Sequence, residues 1–175
     1  MKSVGVYIPK PAELKPYDPD YVGAAVYVAD LLKAQLPGVI VEHIGSTAVV
    51  NCGGKGIIDL MVLYPKDNFE VTKEVLRSLG FQNQPHRDPF PESRPMRVGS
   101  ITYNQKVFQI HVHVIEQGCL EAISTLRFRD RLRENHKLMQ EYVLCKSQIL
   151  QQGISDSLDY CRAKQDFINK VLTDW

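Results

Sequence analysis

The run Ile57-Ile58-Asp59-Leu60-Met61-Val62-Leu63-Tyr64, closed by Pro65, constrains this chain more than any other segment. It has the apolar, β-branched character of a buried strand, yet it carries an acid near its start. A carboxylate in such a run costs several kcal/mol unless something pairs with it, so Asp59 calls for a metal, a cation or hydrogen-bond donors. Just upstream, Val39 to Ile44 reads as a shorter strand that ends in the turn Gly45-Ser46-Thr47. Exposed amides and hydroxyls at such a turn can hold a phosphate, and Gly45 lets a ligand approach the backbone. The same turn also serves simply to end a strand, with Ser46 or Thr47 capping a helical turn after it.

The elements around this core can be placed from their periodicity. Asp20 to Leu36 has helical spacing and stops at Pro37-Gly38, and Asp67 to Leu79 returns to that spacing before Gly80. Gln82 to Pro95 sets Pro85, Pro89 and Pro91 among charges and reads as a mobile loop of the kind that borders a site, or equally as a disordered excursion. Arg97 to Tyr103 and Lys106 to Ile115 alternate, with Asn104-Gln105 between them as a hairpin turn. On the second of these strands Phe108, Ile110, Val112 and Val114 share one face, and Gln109, His111 and His113 share the other. Beyond Gly118 the spacing predicts helices over Leu120 to Asn135, His136 to Gln152, and Ser155 to about Leu172, with Gly153 as a C-cap and Ser155 as an N-cap. Strands followed by a run of helices imply a single α+β domain over residues 1–175.

A formal charge of +1 gives no general attraction to nucleic acid or anionic membrane, so nucleic acid is an unlikely partner. No apolar run approaches the ~20 residues of a membrane span, and the N-terminus lacks a signal-like apolar core. The four cysteines, Cys52, Cys119, Cys145 and Cys161, form no Cys-x-x-Cys pair. A soluble cytoplasmic protein with reduced thiols is expected.

His111 and His113 project the same way roughly 7 Å apart, a gap that a metal ion or phosphate can bridge. With Asp59 they make a candidate metal set of two imidazoles and one carboxylate, suited to a transition metal such as zinc, manganese or iron more than to magnesium. Alternatively, the pair lines a half-exposed sheet face. Lys55, four residues before Asp59, is a candidate phosphate ligand or a solvated loop lysine, and Arg97 is a candidate anion clamp beside Arg94. His43 is a candidate general base or a strand-end histidine. Arg127 to Arg131 reads as a solvated, ion-paired surface, and Tyr142 with Lys146 and Tyr160 with Lys164 read as packed tyrosines with snorkelling lysines.

Several of these segments together resemble the GrpB family: His43 to Val49, Lys55 to Asp59, His111-Val112-His113-Val114, Phe128 to Leu132, Tyr142 with Lys146, and Tyr160 to Ile168. The resemblance implies a nucleotidyltransferase-like fold of the DNA polymerase β superfamily. That fold is a mixed β-sheet of about four to five strands with an N-terminal helix and C-terminal helices packed on it. In active members a Gly-Ser turn grips the triphosphate, two acids one residue apart hold magnesium, and a third acid sits on a later strand. Gly45 and Ser46 match the turn and Asp59 the first acid, but Met61 stands at the second and the later strand offers His111 and His113. Two metal ions about 3.5 to 4 Å apart need several anionic ligands. The resemblance therefore implies a nucleotide or other phosphorylated small molecule as ligand, with a divalent metal (Mg, Mn or Zn) as cofactor. It leaves three functions open: nucleotidyl transfer, non-catalytic nucleotide or partner binding, and metal-dependent phosphoester hydrolysis.

Overall fold

The computed structural model describes residues 3–85 and 88–173. Five strands form one sheet: β1 (Ile40–Ile44), β2 (Ile57–Tyr64), β3 (Gln82–Asn83), β4 (Met96–Tyr103) and β5 (Lys106–Glu116), in the spatial order β1-β2-β5-β4-β3. β2 and β5 run parallel at its centre, and all other neighbours are antiparallel. The apolar run of β2 reflects that central position, since a strand paired on both edges and covered on both faces has almost no wet surface. Leu60, Met61 and Val62 are all fully buried.

Helices α1 (Asp20–Lys33) and α2 (Phe69–Leu79) cover one face. Val28 and Leu32 of α1 and Leu76 and Leu79 of α2 meet Ile58, Leu60 and Val62 of β2 and Ile110, Val112 and Val114 of β5 in the main core. Phe108, Ile110, Val112 and Val114 thus form the buried face expected from their alternation. The opposite face carries Asp59, Met61, His111 and His113, and helices from the C-terminal half close over it. These are α3 (Leu120–Glu134), α4 (His136–Gln151), α5 (Ser157–Ala163) and α6 (Gln165–Thr173). A smaller core of Val49, Leu132, Met139 and Tyr142, with Phe167 and Ile168 against it, binds these helices together.

Four local expectations need correcting. α1 stops at Lys33, three residues short of Leu36, because Gln35 and Leu36 both donate back to Leu32 O in a closing turn ahead of Pro37. The final helix is two helices meeting at Lys164. Its N-cap is Asp156 rather than Ser155: the Asp156 carboxylate accepts from Leu158 N and Asp159 N at 3.0 and 3.1 Å, while the Ser155 carbonyl is taken by Ala12 N. The stretch expected to be a loop after Gln82 begins with the short edge strand β3, and its His86 and Arg87 lie outside the described residues. The hairpin turn forms where expected, with Asn104 and Gln105 at φ of 46° and 63°, the left-handed pair that a two-residue link between twisted strands demands. No helix among the described residues is long and apolar enough to cross a membrane.

Candidate functional site

Register brings Asp59 and the two histidines together. β2 sets Asp59 opposite His111 and Met61 opposite His113, and β1 sets Ile44 opposite Asp59. Residues facing one another across a ladder project to the same side. Asp59 Oδ1 accordingly lies 3.3 Å from His111 Nδ1 and 3.7 Å from His113 Nε2.

The outer nitrogens of the two rings decide their protonation. His113 Nδ1 is 3.0 Å from Arg94 Nη1, and His111 Nε2 is 3.0 Å from the Tyr7 hydroxyl. A guanidinium only donates, so His113 accepts at Nδ1 and carries its hydrogen on Nε2, toward Asp59. An ionised carboxylate only accepts, so His111 turns Nδ1–H to Asp59 and accepts the Tyr7 O–H at Nε2. Burial pushes the Asp59 carboxyl up, but the donors at His111 and His113 more than offset this and leave it well below the usual carboxylate range. Burial lowers the His113 imidazole, with Arg94 adding to the effect against Asp59. Burial and then the Asp59 charge push the Tyr7 phenol up to about 12, so it remains a donor. Arg94 is itself anchored, with Nε 3.1 Å from Glu121 of α3 and its guanidinium 4.4 Å from the Phe90 ring centre.

This hydrogen bonding does not fit a metal centre made from Asp59, His111 and His113. Coordination needs a lone pair directed at the ion, and Arg94 places the His113 lone pair on the far side of the ring. No group of three or more His, Cys, Asp or Glu among the described residues has the arrangement of a metal site. The convergence expected of the three residues is present, but its centre is the Asp59 oxygen.

The Gly-Ser turn is built tightly against the acid. Gly45 has φ of +71°, and a Cβ there would stand 2.6 Å from Asp59 Oδ2, so both backbone and space demand glycine. Ser46 is committed elsewhere: its hydroxyl accepts from Lys146 Nζ at 2.8 Å. Lys146 does not snorkel. It is 1 % exposed, donates also to Gly53 O, lies 3.5 Å from Cys52 Sγ and stacks on the Tyr142 ring. Burial lowers its ammonium to about 8.

Three other expected roles are corrected. Thr47 is buried, donates to Ile57 O and accepts from His43 Nε2 at 2.9 Å, which leaves its hydroxyl no phosphate to meet. His43 pairs with Leu60 in register and so lies on the opposite face of the sheet from Asp59, where burial pushes it down to about 4. Arg97 pairs with Val112 in register, also facing away from Asp59, and binds Glu92 at 2.7 and 3.1 Å. A one-residue offset on a strand reverses the face, and that keeps both residues out of the group around Asp59. Arg129, expected at a solvated surface, instead ties α3 to β1 through Glu42 and the His43 carbonyl.

A pocket of about 490 Å³ opens over Asp59. Gly45, Asp59, His111 and His113 form its floor, Phe128 and Tyr142 line one side, and Lys55, Ser157, Cys161 and Lys164 line another. Lys55 Nζ is 2.8 Å from Ser157 Oγ. Lys55 and Lys164 both lie over the Tyr160 ring, 5.8 and 4.8 Å from its centre. Neither has a carboxylate in ion-pair range among the described residues. Tyr7, Lys146, Ser157 and Lys164 were not anticipated as site residues. For Lys146 a signal existed, since Met139, Tyr142, Lys146 and Ile149 form one buried helical stripe.

A family model for GrpB protein matches residues 11–174. A UPF0157 protein of Vibrio cholerae is 30% identical over 141 residues, covering 81% of this chain and 70% of that one. Another from Streptomyces coelicolor is 31% identical over 143 residues, covering 79% and 69%. Among solved structures, the conserved protein GrpB from Enterococcus faecalis superposes with a TM-score of 0.72 at 27% identity, covering 93% of this chain and 96% of that one. The Cid1 poly(U) polymerase bound to MgATP superposes at 0.57 with 19% identity over 82% of this chain and 46% of its own, a likeness of fold alone. The sheet with Asp59 beside a Gly-Ser turn is thus a nucleotidyltransferase-like fold, and with the family model spanning nearly its whole length the chain belongs to the GrpB family.

Proposed function

We propose that the pocket over Asp59 binds a nucleotide or other phosphorylated small molecule, and that the protein acts as a binding module instead of a two-metal transferase. One observation carries this reading: an ionised carboxylate on the floor faces a wall bearing two ammonium groups without carboxylate partners among the described residues. Asp59 accepts hydroxyl hydrogens of a ligand, and the lysines attract its phosphate. Its low affinity for protons makes Asp59 a poor general base at neutral pH.

Two-metal chemistry lacks ligands here. Met61 is fully buried where a second acid would stand, and His113 presents N–H to the floor. The likeness to Cid1 with its MgATP favours a second reading, metal-dependent nucleotidyl transfer. Calorimetry with ATP, AMP and ribose 5-phosphate, each in magnesium and in EDTA, separates the two. Binding should survive EDTA and the Ser46→Ala change, because the Ser46 hydroxyl faces Lys146 and not the pocket. Absence of binding by ATP, AMP and ribose 5-phosphate alike would sink the proposal. Binding that requires magnesium, disappears in Asp59→Ala and releases pyrophosphate would establish the transferase instead.

A further inference from the structure

We infer that the ligand is a phosphomonoester of a polyhydroxylated compound, such as a nucleoside monophosphate or sugar phosphate, held by Lys55 and Lys164 instead of by the Gly-Ser turn. The inference rests on the proposed binding function and concerns which phosphate chemistry the pocket takes, and where.

The turn is poorly placed to grip phosphate. Ser46 is bonded to Lys146, and Thr47 is buried against His43 and Ile57. The cationic character lies across the pocket, where Lys55 and Lys164 flank one aromatic ring and Ser157 adds a hydroxyl 2.8 Å from the Lys55 ammonium. Lys55 approaches from the loop before β2 and Lys164 from the junction of α5 and α6, so a group between them is held by both layers of the fold. Tyr160 beneath them is 1 % exposed, so its buried ring backs both ammonium groups.

Charge selects the ligand class. A phosphomonoester carries about −1.5 to −2 at pH 7, matched by two ammonium groups. A triphosphate carries more, and enzymes that hold it neutralise the excess with metal ions on several carboxylates. Here the pocket lining offers two carboxylates, Asp59 and Glu121, and Glu121 is taken by Arg94, while Met61 is buried and His113 turns its N–H to Asp59. Asp59 is suited to hydroxyl donors on the ligand body, and the pocket of about 490 Å³ admits a compound of nucleoside monophosphate size.

The test is calorimetry on the full chain with four probes: AMP, ribose 5-phosphate, adenosine, and ATP with magnesium. Each is run against wild type, Lys164→Gln, Lys55→Gln and Lys164→Arg, with melting curves to confirm folding. At least one phosphomonoester should bind in EDTA more tightly than ATP with magnesium does. Each glutamine variant should weaken it by about tenfold or more, the loss of one charge-assisted contact, and Lys164→Arg should retain part of the affinity. Tighter binding of ATP with magnesium, or unchanged affinity in both glutamine variants, overturns this inference while leaving the binding function intact. If none of the three phosphorylated probes binds, the proposed function falls and this inference with it.

Discussion

At the scale of single residues, the site depends on side chains whose neighbours leave them one chemical state. Arg94 fixes the tautomer of His113, and Tyr7 with Asp59 fixes that of His111. At Gly45 both the backbone and the space beside Asp59 demand glycine. Gly45→Ala should destabilise the fold by about 2 kcal/mol or more in denaturant melts, since it adds a methyl against Asp59 Oδ2 at a positive φ. Lys146 gives a pH signature. Burial lowers its folded value to about 8, whereas an unfolded lysine titrates near 10.4. Between these values the unfolded chain holds the extra proton, so stability should rise with pH. The penalty is fully present below about pH 8 and is relieved as pH climbs toward 10.4. Wild-type melts should show that alkaline rise and Lys146→Met melts should not. Equal slopes would mean that Lys146 keeps its proton.

At the scale of elements, the pocket wall is a short helix that depends on its cap. α5 spans Ser157–Ala163, and the Asp156 carboxylate accepts from two of its first amides. So short a helix has little stability of its own. Asp156→Ala should cost about 1 kcal/mol of global stability. It should also weaken phosphomonoester binding, because Ser157 lies in the first turn and Cys161 in the next. A variant that loses stability without losing affinity would show that the wall does not need its cap. The parallel pairing of β2 with β5 is the other decisive element, because it sets Asp59 beside His111 and leaves Met61 beside His113.

At the scale of the molecule, the pocket is the seam between the sheet and its C-terminal helices. The sheet is buried under α1 and α2 on its other face, whereas α5 and α6 bury few residues, Tyr160 and Val171 among them. Native-state hydrogen exchange should therefore find β2 and β5 opening only with global unfolding, and α5 and α6 opening at lower free energy. AMP or ribose 5-phosphate should raise protection in α5 and α6 and leave β2 unchanged. Uniform protection across both layers would contradict this view of the seam.

Much of this protein was determined by the sequence alone. Alternation on β5, the apolar run of β2 and the helical spacing of α1 and α2 settled the long strands, the two faces of β5 and the α+β order, because such periodicities report burial one residue at a time. The meeting of Asp59, His111 and His113 was also legible, as two alternating strands with polar residues in phase. What only the tertiary structure decided were the identities of partners far apart in the chain. Tyr7 reaches His111 from 104 residues away and Lys146 reaches Ser46 across 100. The faces of His43 and Arg97 depended on strand register, and the hydrogen on His113 depended on Arg94. A residue's chemistry is set by the donor, acceptor or charge beside it, and local sequence does not specify which distant side chain will supply that neighbour.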